Sequence, residues 1–253
     1  MTVLSGILAR TRADLQARKQ LRTLDEIRDV ARTSERSFSD ALRAPGRSLI
    51  AEFKPASPSR GELRDRDEVE RFAGLYDGRA SAMSVLCDRP HFDGGFDLLA
   101  RARASSGLPL LCKDFILDAY QVFEAREAGA DAILLMAAVV DDPELVDLHG
   151  LAGSLGMDAL VEVHDQSELD RVLDLDVRIV GVNARNLHDL SIDGGRMAGL
   201  LEQVPPDRIA VAESGVQTRA DVEALPARAD AVLIGSAFME ASEPGARLEE
   251  LGW

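Results

Sequence analysis

Eight short apolar runs, each followed by a mixed polar and apolar stretch long enough for a helix, constrain this 253-residue chain more than any other feature. The runs are Ser48–Phe53, Ala82–Leu86, Leu108–Cys112, Ala132–Met136, Ala159–Val163, Ile179–Val182, Arg208–Val211 and Ala231–Ile234. Between them, Ala119–Gly129, Asp142–Leu155, Ser167–Leu173 and Arg219–Leu225 read as helices. The repeat averages about 26 residues, close to what eight strand-helix units need. Runs that are apolar on both faces and alternate with helices imply a parallel sheet covered on both sides. An internal echo favours closing that sheet: Ala128-Gly129-Ala130-Asp131-Ala132-Ile133-Leu134-Leu135 resembles Ala227-Arg228-Ala229-Asp230-Ala231-Val232-Leu233-Ile234, 99 residues later. The expectation is an α/β chain folded as a (β/α)8 TIM barrel, with residues 1–253 forming one domain.

Residues 1–47 precede the first run. Ile7, Leu8, Leu15, Leu21, Leu24 and Ile27 recur there at rough helical spacing among charged residues, which predicts one or two extra helices. Such an N-terminal helical extension can cover the barrel bottom or the barrel mouth, and spacing does not choose between them.

Bulk properties exclude several function classes. The net charge of −15 disfavours nucleic acid and anionic membranes as partners. It leaves room for an anionic small molecule held by a local cluster of Lys and Arg. No apolar stretch is long enough to span a bilayer, and the N-terminus has no leader pattern, so a cytoplasmic location is expected. The two cysteines, Cys87 and Cys112, read as small buried hydrophobes. The four histidines, His91, His149, His164 and His188, are scattered without ligand spacing, so no metal site is expected. His164 lies two residues past Glu162 and can face the same side, but it is read as a surface histidine. No Gly-x-Gly-x-x-Gly follows a strand, and no cofactor is expected.

Active sites of barrels gather where strands end. The first run closes in Glu52-Phe53-Lys54, and residues two apart on an extended chain share a side. The third ends in Lys113, the fifth in Glu162, the sixth in Asn183 followed by Arg185, and the seventh in Glu213-Ser214. Charged residues do mark where strands leave a core, but that alone accounts poorly for Lys or Glu closing nearly every odd-numbered run. The last two runs end in Glu213-Ser214-Gly215 and Ile234-Gly235-Ser236, where glycine lets backbone N–H groups approach an anion. Either alone is an ordinary turn; the pair falls where phosphate-binding barrels hold phosphate. Ser57, Ser59 and Arg60 can add contacts from the first loop, which is equally consistent with a mobile, solvated segment. Together these residues point to cofactor-free acid-base chemistry on a phosphorylated small molecule.

The segments IAEFKPASPSRG, LCKDFILDAYQVFEAREAGADAILL, LVEVHD, GVNARNL, AESGV and VLIGSAFM, between residues 50 and 239, resemble the indole-3-glycerol-phosphate synthase family of tryptophan biosynthesis. The resemblance implies ring closure, decarboxylation and dehydration of 1-(2-carboxyphenylamino)-1-deoxyribulose 5-phosphate. It implies a catalytic set of Lys113 as general acid, Glu162 as acid or base in dehydration, Lys54 on the anthranilate carboxylate, Glu52 orienting the lysines, and Asn183. It implies substrate binding by Arg185, Ser57, Phe92, Phe115 and Glu213, with Ser214, Gly215, Gly235 and Ser236 on the phosphate. Glu162 is expected to work with a raised pKa. The partner is a phosphorylated anthranilate-derived small molecule, and a monomer or weak homodimer is expected.

Two departures stand out. Pro55 occupies a position that is often basic in the family, and Gly94-Gly95 replaces Gly-Ser after Phe92. Two rival readings remain. One is a phosphate-binding sugar isomerase barrel, which pairs aspartates where this chain has Glu52/Lys54 and Glu162. The other is a catalytically silent barrel, which the presence of Lys113 and Glu162 disfavours.

Overall fold

A computed structural model of the chain describes residues 3–186 and 191–253; His188 lies outside them. Eight parallel strands close into a barrel: β1 (Ser48–Phe53), β2 (Ala82–Leu86), β3 (Leu110–Lys113), β4 (Ala132–Met136), β5 (Asp158–Val163), β6 (Ile179–Asn183), β7 (Ile209–Glu213) and β8 (Ala231–Ile234). Each strand pairs with the next, and β8 pairs with β1 in the register Ile50↔Leu233. The third run begins later than expected because Pro109 has no N–H to enter the ladder, so β3 opens at Leu110. Both β6 and β7 run on to their polar ends, Asn183 and Glu213, which pair with each other in the ladder.

The period of two explains both layers of the core. Leu49, Ala51 and Phe53 of β1 point outward and join Met83, Val85, Leu110 and the free cysteines Cys87 and Cys112 beneath the helices. Ile50, Leu111, Leu160, Ile179, Ile209, Val211 and Leu233 point inward and fill the barrel. The next inward position up each odd-numbered strand is Glu52, Lys113, Glu162 or Glu213. Alternation therefore carries an apolar interior into a charged floor at the C-terminal mouth.

The N-terminal extension holds three helices rather than one or two: α1 (Val3–Leu21), α2 (Leu24–Arg28) and α3 (Phe38–Leu42). The two short ones have five residues each, too few to show a helical period, and are set by caps. Thr23 and Glu26 form a capping box, and Ser37 accepts from Asp40 N. The extension covers both ends of the barrel. Phe38 and Leu42 are fully buried and pack with Ile50, Ala82 and Ala132 at the bottom. At the mouth, Val3, Leu4 and Ile7 of α1 border the central cleft. Ion pairs from Arg18 to Glu124 (2.8 Å), Lys19 to Asp118 (2.6 Å) and Arg22 to Glu127 (2.6 Å) hold α1 along the barrel side. No helix among the described residues is long and apolar enough to cross a membrane.

The internal echo has a structural meaning. Asp131 and Asp230 open β4 and β8 in the same way. Asp131 N donates to Leu110 O (2.8 Å) while its Oδ2 accepts from Leu110 N (2.9 Å). Asp230 N donates to Ala210 O (2.9 Å) while its Oδ2 accepts from Ala210 N (2.8 Å). Each aspartate stitches its strand to the preceding one.

Candidate active site

All fourteen residues singled out from the sequence line one cleft at the mouth, with a cavity volume of about 270 Å³. That space suits one small molecule rather than a polymer. The cleft has an apolar wall, an ionic floor and a polar rim.

The apolar wall comes from the inward ends of the even-numbered strands β2 and β4, Leu86, Leu134 and Met136, and from Phe92 and Phe115. The two phenylalanine rings pack at a tilt of 39° with centroids 6.3 Å apart. Sequence reading missed Leu86, Leu134 and Met136 because apolar strand ends look like core. Their alternation with the charged odd strands was the available signal.

In the ionic floor, Lys113 Nζ donates to Glu162 Oε2 at 2.7 Å and to Glu213 Oε2 at 2.8 Å. Both carboxylates are at most 3% exposed, so the pairing is nearly dry. Burial works against the charge on Lys113, but Glu162, Glu213 and Glu52 outweigh it and push its pKa well up. Lys54 Nζ donates to Glu52 Oε1 at 2.7 Å, so the acid and base that close β1 pair with each other.

Two carboxylates around one lysine do not titrate alike. For Glu162, burial favours the neutral form, but Lys113 and His164 outweigh it and hold the carboxyl well below its usual range. For Glu213, burial dominates and the neighbouring charge of Glu162 adds to it, pushing the pKa up to about 8. The expectation of a raised pKa at Glu162 is therefore corrected: Glu162 is the carboxyl held down, and the upward shift falls on Glu213 instead. The reason is the extra cation. Glu162 has His164 Nε2 3.1 Å from its Oε1, whereas Glu213 Oε1 has no hydrogen-bond partner.

His164 corrects a second expectation. It is 6% exposed, not a surface residue. Its backbone N–H donates to Glu168 Oε2 (2.7 Å), and its Nδ1 lies 3.2 Å from the same oxygen. Glu168 comes from the following helix, Gln166–Leu173, and no local signal at residue 164 announces that partner.

The floor also depends on two glycines. A Cβ on Gly181 would lie 2.1 Å from Glu213 Oε1, and one on Gly235 would lie 2.3 Å from Glu52 Oε1. Each leaves the room that a neighbouring strand's glutamate fills. Gly235 was expected only as a phosphate contact, and Gly181 was not singled out at all.

The polar rim runs from β6 to β8 and the first loop. Asn183 Oδ1 accepts from Arg185 N at 2.9 Å, which curls the chain over the cleft edge. Burial, with Arg60 nearby, pulls the pKa of half-buried Arg185 down, as expected where cations gather. Ser214 and Gly215 both have positive φ, 67° and 88°, an unusual conformation for serine and one that concentrates at functional sites. The first loop is a short hairpin, Ala56–Ser57 against Gly61–Glu62, rather than a free segment. Pro55 O accepts from Leu63 N (2.7 Å) and Arg64 N (3.0 Å), and Arg60 pairs with Glu240. Ser57, Ser59 and Arg60 thereby face the cleft although Pro55 itself brings no charge.

Comparison with known proteins decides among the readings of such a mouth. A family model described as indole-3-glycerol phosphate synthase matches residues 4–251. The chain belongs to the indole-3-glycerol phosphate synthase family. It is 46% identical to the indole-3-glycerol phosphate synthase of Variovorax paradoxus (strain S110), over 98% of both chains. Identity to the synthase of Paracidovorax citrulli (strain AAC00-1) is 45%, again over 98% of both. A solved structure of 3-hexulose-6-phosphate synthase superposes with a TM-score of 0.65 at 15% identity, covering 81% of this chain and 97% of that one, a likeness of fold alone. The enzyme is an indole-3-glycerol phosphate synthase, a carboxy-lyase of tryptophan biosynthesis. It closes the indole ring with loss of CO2 and water.

Proposed function

We propose that the mouth residues divide this reaction among them as follows, the carrying observation being Lys113 Nζ held between Glu162 Oε2 and Glu213 Oε2. The aryl wall of Leu86, Leu134, Met136, Phe92 and Phe115 takes the anthranilate ring, and Lys54 and Arg185 take its carboxylate. Ser214, Gly215, Gly235 and Ser236 take the phosphate, with Ser57 at its edge. Asn183 and Glu52 bind hydroxyls of the opened sugar, and Glu52 also orients Lys54.

Ring closure joins the aryl carbon to the C2 carbonyl carbon, and negative charge builds on the carbonyl oxygen. Lys113, kept protonated by its neighbours, donates the proton that turns this oxygen into a hydroxyl. The carboxylate then leaves as CO2, and its bonding electrons return to the ring. Dehydration removes the new hydroxyl as water and a proton from the adjacent carbon. Lys113, reprotonated after ring closure, delivers the proton with which that hydroxyl leaves as water, and Glu162, ionised in the resting site, accepts the proton from the carbon. The Glu213 carboxyl, whose Oε2 accepts from Lys113 Nζ at 2.8 Å, is the neighbouring acid that restores the proton to Lys113 between steps.

The reading extends to a cytoplasmic enzyme that works as one barrel domain, monomeric or weakly dimeric, on a diffusing phosphorylated substrate without nucleic-acid or membrane partners. The test is incubation with 1-(2-carboxyphenylamino)-1-deoxyribulose 5-phosphate while following indole fluorescence. Product formed by the wild type and lost by more than a hundredfold in Lys113→Ala is expected. Turnover retained in Lys113→Ala would overturn the assignment.

A further inference from the structure

One buried charge in the floor has no part in the scheme above. His164 follows Glu162 by two residues, one past the end of β5, yet it does not line the cleft; it is buried behind Glu162. Its ring is held between two carboxylates from different elements. Nδ1 is 3.2 Å from Glu168 Oε2, and Nε2 is 3.1 Å from Glu162 Oε1. A nitrogen facing a carboxylate oxygen is best occupied by a proton, so this geometry favours the doubly protonated ring. The Nε2 contact is close but not aligned as a hydrogen bond, leaving a buried donor aimed near the carboxylate that must move a proton.

Other charges around the pair leave room for this cation. Glu162 meets Lys113 from β3 and Glu213 from β7, and Glu52 from β1 acts on Lys113. His164 meets Glu162, Glu168 and, more distantly, Asp165. Among the described residues, both charged side chains in contact with the imidazole, Glu162 and Glu168, are acidic. Burial opposes its charge, but the flanking glutamates push its pKa up to about 9.

We propose that His164 is a positioning residue for Glu162: anchored by Glu168, its imidazolium fixes the rotamer of the Glu162 carboxylate and keeps that carboxylate ionised for the dehydration step. Lys113 governs Oε2 of Glu162, and His164 governs Oε1. The proposal rests on the role given to Glu162, and the two can fail separately. Near-normal turnover of Glu162→Gln removes that role, whereas an inactive Glu162→Gln beside an unperturbed His164 variant removes only the present claim.

The test compares His164→Asn with His164→Gln across pH. Asparagine places its amide near Nδ1 and keeps the Glu168 contact; glutamine reaches toward Nε2 and Glu162. For His164→Asn, kcat should fall roughly ten- to hundredfold, by analogy with other groups that orient a reacting ligand. KM should stay within about twofold, and the acidic limb of the kcat profile should move up by about one pH unit as Glu162 becomes easier to protonate. His164→Gln should recover part of the loss. An acidic limb in the wild-type position, or better recovery by asparagine than by glutamine, would overturn the proposal in favour of simple packing against Glu168. If neither variant folds, the wild type still decides: nitrogen NMR of labelled histidine should show a doubly protonated His164 at neutral pH, and a neutral ring contradicts the claim.

Discussion

The barrel buries two groups of carboxylates, one at each end, and they are finished differently. At the bottom, Asp131 is completely buried and every direction is filled. Its Oδ1 accepts from Ser34 Oγ (2.6 Å) and Arg126 Nη1 (3.3 Å), and its Oδ2 accepts from Arg103 Nη1 (2.7 Å) and Leu110 N (2.9 Å). At the mouth, Glu162 and Glu213 share one lysine, and Glu213 Oε1 is left without a partner. A buried polar oxygen without a hydrogen-bond partner, whether it carries the proton or not, costs about 1–3 kcal/mol. A scaffold removes that cost, as Asp131 does; an active site keeps it where a reacting group will supply the missing partner.

This contrast predicts a separation of effects. The largest belongs to the mouth: Lys113→Ala should lower kcat of the folded protein by about a thousandfold or more, read by indole fluorescence, while its loss of stability stays smaller than that of Asp131→Ala because Glu162 keeps His164 beside it and Glu213 takes up a proton. Asp131→Ala should do the reverse. Leaving Arg103 and Arg126 buried without their carboxylate should cost about 3–5 kcal/mol in urea unfolding, with little change in kcat of the folded fraction. If Lys113→Ala unfolded the protein as readily as Asp131→Ala, the distinction between the two ends would collapse.

Smaller effects sharpen it. Glu162→Gln should slow turnover about a hundredfold yet still bind a product analogue in calorimetry; lost binding would assign Glu162 to substrate recognition instead. Gly181→Ala should push Glu213 off Lys113, costing about 1–3 kcal/mol of stability and lowering kcat about tenfold. A neutral Gly181→Ala would mean the Glu213 position is not critical. The smallest effect is in pH. His164 has a folded pKa raised to about 9, above its unfolded value, so its stabilising contribution is complete below about pH 6.5. That contribution is lost as pH rises toward 9. The stability gap between wild type and His164→Asn should therefore shrink between pH 6.5 and 9, as measured by urea midpoints; a constant or widening gap would contradict a charged ring.

Much of this was legible from residues alone because the barrel's two periodicities are written into the chain. Alternation along Ile50, Glu52 and Lys54, and again along Leu111 and Lys113, places charge directly above an apolar interior. The cleft membership of all fourteen site residues follows from that pattern together with the family resemblance. What stayed hidden depends on neighbours far away in sequence. Glu162 and Glu213 look equivalent at their strand ends, and their pKa values shift in opposite directions with His164 beside one and not the other. His164 looked like a surface residue because Glu168, which buries and pins it, belongs to the next helix. Gly181 carries no pattern of its own; its meaning is the glutamate on the adjacent strand. The echo between Asp131 and Asp230 was visible as repetition, but its physical content, an aspartate tying each strand to the one before, needed the ladder.

The two mouth glutamates should divide the proton between them, with Glu162 ionised and Glu213 protonated at neutral pH. Carbon NMR of the protein labelled at glutamate side-chain carboxyls measures this directly, with Glu162→Gln and Glu213→Gln identifying the signals. One protonated glutamate is expected at neutral pH, disappearing in Glu213→Gln and persisting in Glu162→Gln. A protonated signal that instead disappears in Glu162→Gln, or no protonated glutamate at all, would contradict it.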